Sequence, residues 1–203
     1  RDWLLSRGLG DVYKRQLPYT TAKTQAEHLA WELAKQLDLD VRVINPTAVL
    51  GGGFIHPTPS VDFFQDAIKG AFPVAPKFPM AAVHVRDVAR AHRRAFEVNE
   101  AEGRFILAPH SNLTLSTICR KIRELYPHSK SPKRALPNVL LPLAVFQDWF
   151  GGLFGKQRYL TRAVVKSLKK GDTNYSSGKA ERVLGMEWEG FDACIRDTVD
   201  AYL

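Results

Sequence analysis

An α/β fold with a parallel sheet is predicted by three features of the sequence. Apolar residues at Ala22, Ala26, Leu29, Ala30, Leu33 and Leu37 follow the helical period and lead into the β-branched run Val41–Asn45. Two more short apolar runs, Ala82–Val85 and Arg104–Ala108, each precede a helical pattern that opens on a capping residue. Strands that alternate with helices are the pattern of parallel pairing, because parallel neighbours need a crossover between them.

Composition narrows the class. The 203 residues suffice to bury a core without covalent staples. Cys119 and Cys194 have no C-x-x-C spacing, which excludes a disulfide scaffold and a zinc ribbon. No apolar run reaches the ~20 residues of a membrane span, and no secretory signal pattern opens the chain. The expectation is a soluble protein of the reducing cytoplasm. The net charge of +8 is local. Arg120, Lys121, Arg123, Lys130, Lys133 and Arg134 face only Glu124, and residues 156–170 hold six bases and no acid. Such stripes suit nucleic acid, anionic lipid or an anionic ligand, or are simply solvated helix faces. Stacking aromatics are not interleaved with the bases, so no nucleic acid is expected.

In chain order, residues 1–16 show no period, and GDVYKRQ resembles translated adapter sequence. Native sequence is therefore expected from about Leu17, with the head non-native or disordered. A helix is predicted over 20–37, then the buried strand Val41–Asn45, ended by Pro46. GGGFIHPTPS at 51–60 reads as a loop. Residues 61–70 form a helix with Phe64 and Ile68 inward, and Ala82–Val85 a strand. Asp87 is placed to cap a helix over 88–99, and His84 to be a hydrogen-bonded core or rim residue. Arg104–Ala108 is the next strand. Thr114 caps a helix whose inner face is Leu115, Ile118, Cys119, Ile122 and Leu125. Residues 127–142 hold four prolines and read as an irregular crossing. Helices near 177–184, closed by Gly185, and over 191–203 end the chain.

The chemistry concentrates at Tyr19-Thr20-Thr21-Ala22-Lys23. Residues at i and i+4 share a helix face. A lysine ammonium beside a phenol favours the phenolate and lowers a pKa that is ordinarily ~10. Such a tyrosine can exchange a proton with a substrate oxygen near neutral pH, and the lysine can also hydrogen-bond a ribose hydroxyl. A second segment, LPNVLLPLAVFQDWFGGLFG at 136–155, is rich in Leu and Phe and contains Trp149. It reads as a core helix of a substrate subdomain, as a lid over an apolar substrate, or as a surface for peripheral membrane contact.

PYTTAKTQAEHLAWELAKQLDLDVRVINPTAVLGGG resembles the middle of an extended short-chain dehydrogenase/reductase, of the NAD-dependent epimerase/dehydratase superfamily. VHVRDVARAH at 83–92 and SSGKAERVLGMEWEGFDACIRDTVDAYL at the end carry the resemblance further. It is greatest to the dihydroflavonol-reductase-like and 3β-hydroxysteroid-dehydrogenase-like branch and covers roughly residues 17–203. It implies a Rossmann-type parallel sheet, of which residues 17–110 form the C-terminal half, with a substrate-loop insertion near 51–81. Residues 111–203 would form a mainly helical substrate-binding subdomain. Tyr19 would be the catalytic acid/base, and Lys23 would lower its pKa and hold the nicotinamide ribose. Pro46 and Val49 would line the nicotinamide. Ser60 matches a family serine near the cofactor, with spacing altered by the GGG loop.

The family's G-x-x-G-x-x-G turn, which brings backbone close to a pyrophosphate, is not in these 203 residues. Gly51-Gly52-Gly53 follows the Tyr/Lys helix and is not that motif. An N-terminally truncated, separately inactive piece of an NAD(P)-dependent oxidoreductase is expected. Its substrate would be a small, apolar carbonyl or secondary alcohol, and its cofactor NAD or NADP, with NADP favoured. The alternatives are an NAD-dependent sugar-nucleotide epimerase or dehydratase, and a non-catalytic dinucleotide sensor.

Overall fold

A computed structural model describes residues 18–53, 59–71, 74–77, 79–137 and 174–202, with residues 140, 142, 143, 145, 146 and 150. The expected head at 1–16 and the basic run at 156–170 lie outside the described residues. Described in chain order are α1 (Pro18–Leu37), β1 (Arg42–Pro46), β2 (Ala48–Leu50), α2 (Pro59–Lys69), β3 (Ala75–Pro76), β4 (Pro79–His84) and α3 (Val85–Glu97). They continue with β5 (Gly103–Leu107), β6 (His110–Thr114), α4 (Leu115–Leu125), β7 (Ala135–Leu136), α5 (Gly178–Leu184) and α6 (Phe191–Tyr202).

The fold is α/β with parallel pairing, as predicted. β1 runs parallel to β5, with Arg42 opposite Gly103 and Pro46 opposite Leu107. β2 runs parallel to β4, with Leu50 opposite His84. The antiparallel strand β6 adds to β4 across a shift between Met80 and Ala82, and β3 pairs parallel with β7. Because β1 and β5 are parallel, and β2 and β4 likewise, the carboxyl ends of each pair lie on one edge. That edge is where ligand crevices form in open α/β sheets.

Three buried clusters fill the space around these pairs, and each joins residues before and after 110, the smallest being Ala67, Ala75, Leu115 and Cys119. Val83, Ala91, Phe105, Leu107, Ala180 and Leu184 pack α3 and α5 on β5. Leu50, Phe64, Ile68, Ile118, Ile122, Cys194 and Ile195 pack α2, α4 and α6 together beside β2. Thr114 caps α4 as predicted: its Oγ1 accepts the Thr117 backbone N–H, and the Thr117 hydroxyl accepts the Thr114 N–H. Gly185 closes α5 in the left-handed conformation, φ 62°. The irregular crossing after α4 is also observed, with only the two residues of β7 forming a strand among those described.

Four expectations are corrected. Val41–Asn45 is strand, shifted by one residue to include Pro46, but β1 is half-buried because among the described residues it has a partner on one side only. Val85 is not strand but the first residue of α3, so the N-cap is His84 and not Asp87. The His84 Nδ1 accepts the Arg86 backbone N–H at 3.1 Å, leaving Asp87 free to turn inward. Pro59 and Ser60 belong to α2 rather than to the preceding loop, since proline suits the first helical turn. The inward face expected for α1 is largely solvent-facing. Leu29 is 54%, Leu33 42% and Leu37 62% exposed, while Ala34 is buried. Twenty residues make a helix about 30 Å long. Among the described residues α1 meets the β1–β5 pair through the Glu27–Arg104 ion pair, and those strands have five residues each, so most of its length meets no strand.

Two measurements check this packing. On β5, Phe105 is fully buried and Ile106 is 37% exposed. Phe105→Ala should lower unfolding free energy in urea by about 3–5 kcal/mol, and Ile106→Ala by under about 1.5 kcal/mol. Burial raises the Cys119 thiol and pushes Cys194 up to about 12. Neither should react with a chromogenic disulfide reagent at pH 8 until the chain is unfolded.

Candidate active site

The first turn of α1 carries Tyr19, and Lys23 follows one turn later with an exposed side chain. The Tyr19 and Ser60 side chains lie outside the described residues. Only four residues join α1 to β1. Glu27 of α1 pairs with Arg104 of β5 at 2.6 Å, which ties the helix to the β1–β5 pair. At the carboxyl end of that pair Pro46 lies opposite Leu107.

Pro46 borders a cleft of about 500 Å³ there, shared with Asn45, Thr47, Met80, Ile106 and Tyr175. Thr47 closes its floor: both its N–H and its hydroxyl donate to the Leu107 carbonyl, at 3.1 and 3.0 Å. Val49 sits in the middle of β2 opposite Val83, and its side chain packs into the core beside Phe105 rather than into this cleft. Gly51 and Gly53 follow with φ of 119° and 87°.

A polar seam missed by the sequence reading lies beside this edge. His84 is 1% exposed and hydrogen-bonded, as expected. Its Nδ1 accepts from Arg86, so its Nε2 carries the proton and donates to Asp197 Oδ2 at 3.2 Å. Asp197 also pairs with Arg86 at 3.0 Å. Nearby, Asp87 is fully buried and pinned: it accepts the Glu189 N–H at 3.0 Å and pairs with Arg90 at 3.2 Å. Burial, foremost, raises its carboxyl above the ordinary value. His110 donates to the Glu189 carbonyl at 2.9 Å, and burial holds its imidazole below 6.5. Asp87, Arg90 and His110 together grip the 187–189 connector, so Asp87 is a structural acid. The long sequence separations in these contacts left no periodic signal to find them by. Among the described residues no cluster of His, Cys, Asp or Glu could hold a metal.

No protein-family model matches the chain. Cinnamoyl-CoA reductase CAD2 of Medicago truncatula is 36% identical over 124 residues, covering 60% of this chain and 37% of that one. Ketoreductase azaE of Aspergillus niger is 26% identical over 201 residues, covering 93% of this chain and 51% of that one. The crystal structure of gox2253 superposes with a TM-score of 0.71 at 26% identity, over 91% of this chain and 55% of that one. These similarities agree with the resemblance to the extended short-chain dehydrogenase/reductases. It spans about half the length or less of these relatives. Within the reductase relationship, the fold is the Rossmann-type one that the sequence predicts.

The His110 geometry has a pH consequence. An imidazole held below its ordinary value in the fold is protonated first in the unfolded chain. Its contribution to stability is present above about pH 6.5 and is lost as pH falls below that. Asp87, raised, works in the opposite sense above pH 3.8. Urea unfolding between pH 7.5 and 5.5 should show a loss of stability that His110→Gln, which keeps a donor but cannot titrate, reduces.

Proposed function

We propose that these residues form the nicotinamide-proximal half of an NAD(P)-dependent reductase acting on a small, apolar carbonyl compound. What supports this reading is the Tyr19–Lys23 spacing in the first turns of α1, together with the cleft that Pro46 borders at the carboxyl end of β1. Tyr19 gives its proton to the carbonyl oxygen as it gains negative charge. Lys23, one turn away, keeps the phenol acidic by favouring its anion and holds the nicotinamide ribose. Pro46 and the Val49 backbone pack and orient the ring, and Ser60, in the first turn of α2, is assigned to the cofactor's neighbourhood. NADH or NADPH, when bound, supplies the hydride. The relatives found by sequence carry reductase names, which supports reduction over epimerisation.

Leu143, Phe146 and Phe150 are each more than half exposed and offer an apolar surface for the substrate. The same side chains are those a membrane surface would meet. No helix among the described residues is long and apolar enough to cross a membrane. Two free, buried cysteines suit a reducing cytoplasm.

Hydride transfer can be followed by nicotinamide absorbance after joining residues 17–203 to the Gly-rich half of a related reductase. Tyr19→Phe should lower kcat by about 10²–10⁴ with little change in dinucleotide affinity. Lys23→Met should lower kcat, raise the KM for the dinucleotide and shift the pH optimum upward. Full activity of Tyr19→Phe would rule out the mechanism.

A further inference from the structure

The turn that leaves β2 is held from the far end of the chain. The Gly51 N–H donates to Thr198 Oγ1 at 2.8 Å, and Thr198 in turn donates to the Cys194 carbonyl of its own helix at 2.6 Å. Thr198 is fully buried, so the Gly51 amide has no water to replace this acceptor. One residue earlier on α6, Asp197 Oδ2 accepts a hydrogen bond from Nε2–H of His84, the residue at the end of β4 directly opposite Leu50. The helix also lies close against the turn itself. A Cβ at Gly52 would stand 2.9 Å from the Ala201 Cβ and 3.2 Å from the Asp197 carbonyl. A Cβ at Gly51 would meet Val85 at 2.9 Å and His84 at 3.1 Å. The first two glycines are thus explained by close approach of α6 and the start of α3, not by a phosphate.

We propose that Thr198, braced by the His84–Asp197 pair, is a positioning residue for the reaction: it fixes the Gly51–Gly53 turn where the chain passes from the nicotinamide edge at Val49 toward the substrate. The positioning role rests on the function proposed above; the latch itself rests on the geometry alone. Its chemistry is specific. A hydroxyl at 198 is needed because it must accept from Gly51 while donating to Cys194. Serine can do both and valine neither, although valine has nearly the threonine shape.

The test uses the 203-residue chain with Thr198→Val and Thr198→Ser, and two readouts. Amide hydrogen exchange at Gly51, followed by NMR, should quicken about tenfold or more in Thr198→Val, as a buried N–H without a partner lets the turn open. Exchange in β5 should stay unchanged, and Thr198→Ser should restore protection. Binding of reduced nicotinamide mononucleotide, followed by its fluorescence, should weaken severalfold in Thr198→Val and recover in Thr198→Ser. Unchanged Gly51 exchange in Thr198→Val would overturn the latch, and faster exchange with unaltered mononucleotide affinity would overturn the positioning role. Equal quickening of β5 would mean general unfolding and would also overturn it. A wild-type chain that binds no mononucleotide defeats the functional reading and the positioning role with it, while the exchange result still decides the latch.

Discussion

Parallel strand pairing is the constraint on which the rest depends. Two strands that point the same way cannot be joined by a tight turn, so the chain must travel the length of the sheet between them. α1 feeds β1 by such a return, and the segments between β1 and β5 and between β2 and β4 are both long enough to carry helices. Each crossover brings a strand's carboxyl end to the edge where its neighbour also ends. Pro46 and Leu107 meet there, as do Leu50 and His84. The Pro46 cleft, the glycine turn and the His84 cap all lie along that edge.

The elements legible in the sequence were those with a local signature. β1 and β5 have β-branched or apolar runs of the right length, and α4 has a threonine cap and a clean inner face. α5 announces its end with a glycine that takes a positive φ. The elements that were not legible owe their structure to a partner. β2 is three residues after a one-residue break at Thr47, and becomes strand because β4 runs beside it. β6, with the polar sequence HSNLT, has no alternation and pairs only because β4 offers an edge. Val85 looked like strand from its β-branched side chain. It is helical because His84 supplies the acceptor that starts the helix one turn earlier than Asp87 would have done.

The site divides the same way. Tyr19 and Lys23 are visible because a four-residue spacing is a helix face, whatever surrounds it. Pro46 is visible through its place after a strand. The groups that hold this neighbourhood rigid — Thr198, Asp197, Glu189 and His110 — come from the last half of the chain and act over long sequence separations. No spacing rule reaches that far. The α1 leucines teach the converse. Their period correctly marked a helix with an apolar face, but period says nothing of whether a surface is present to receive it.

The close approach of Ala201 to Gly52 carries a consequence for how this sequence can vary. With the two positions in contact, the side chain permitted at one depends on the size of the other. A methyl group gained at 52 meets less resistance when one is given up at 201, although the Asp197 carbonyl still has to yield by a few tenths of an ångström. The order in which such substitutions accumulate is therefore restricted. Two sites 149 residues apart in the chain are thereby coupled, and that epistatic bond should leave its mark as paired changes among descendants of this sequence.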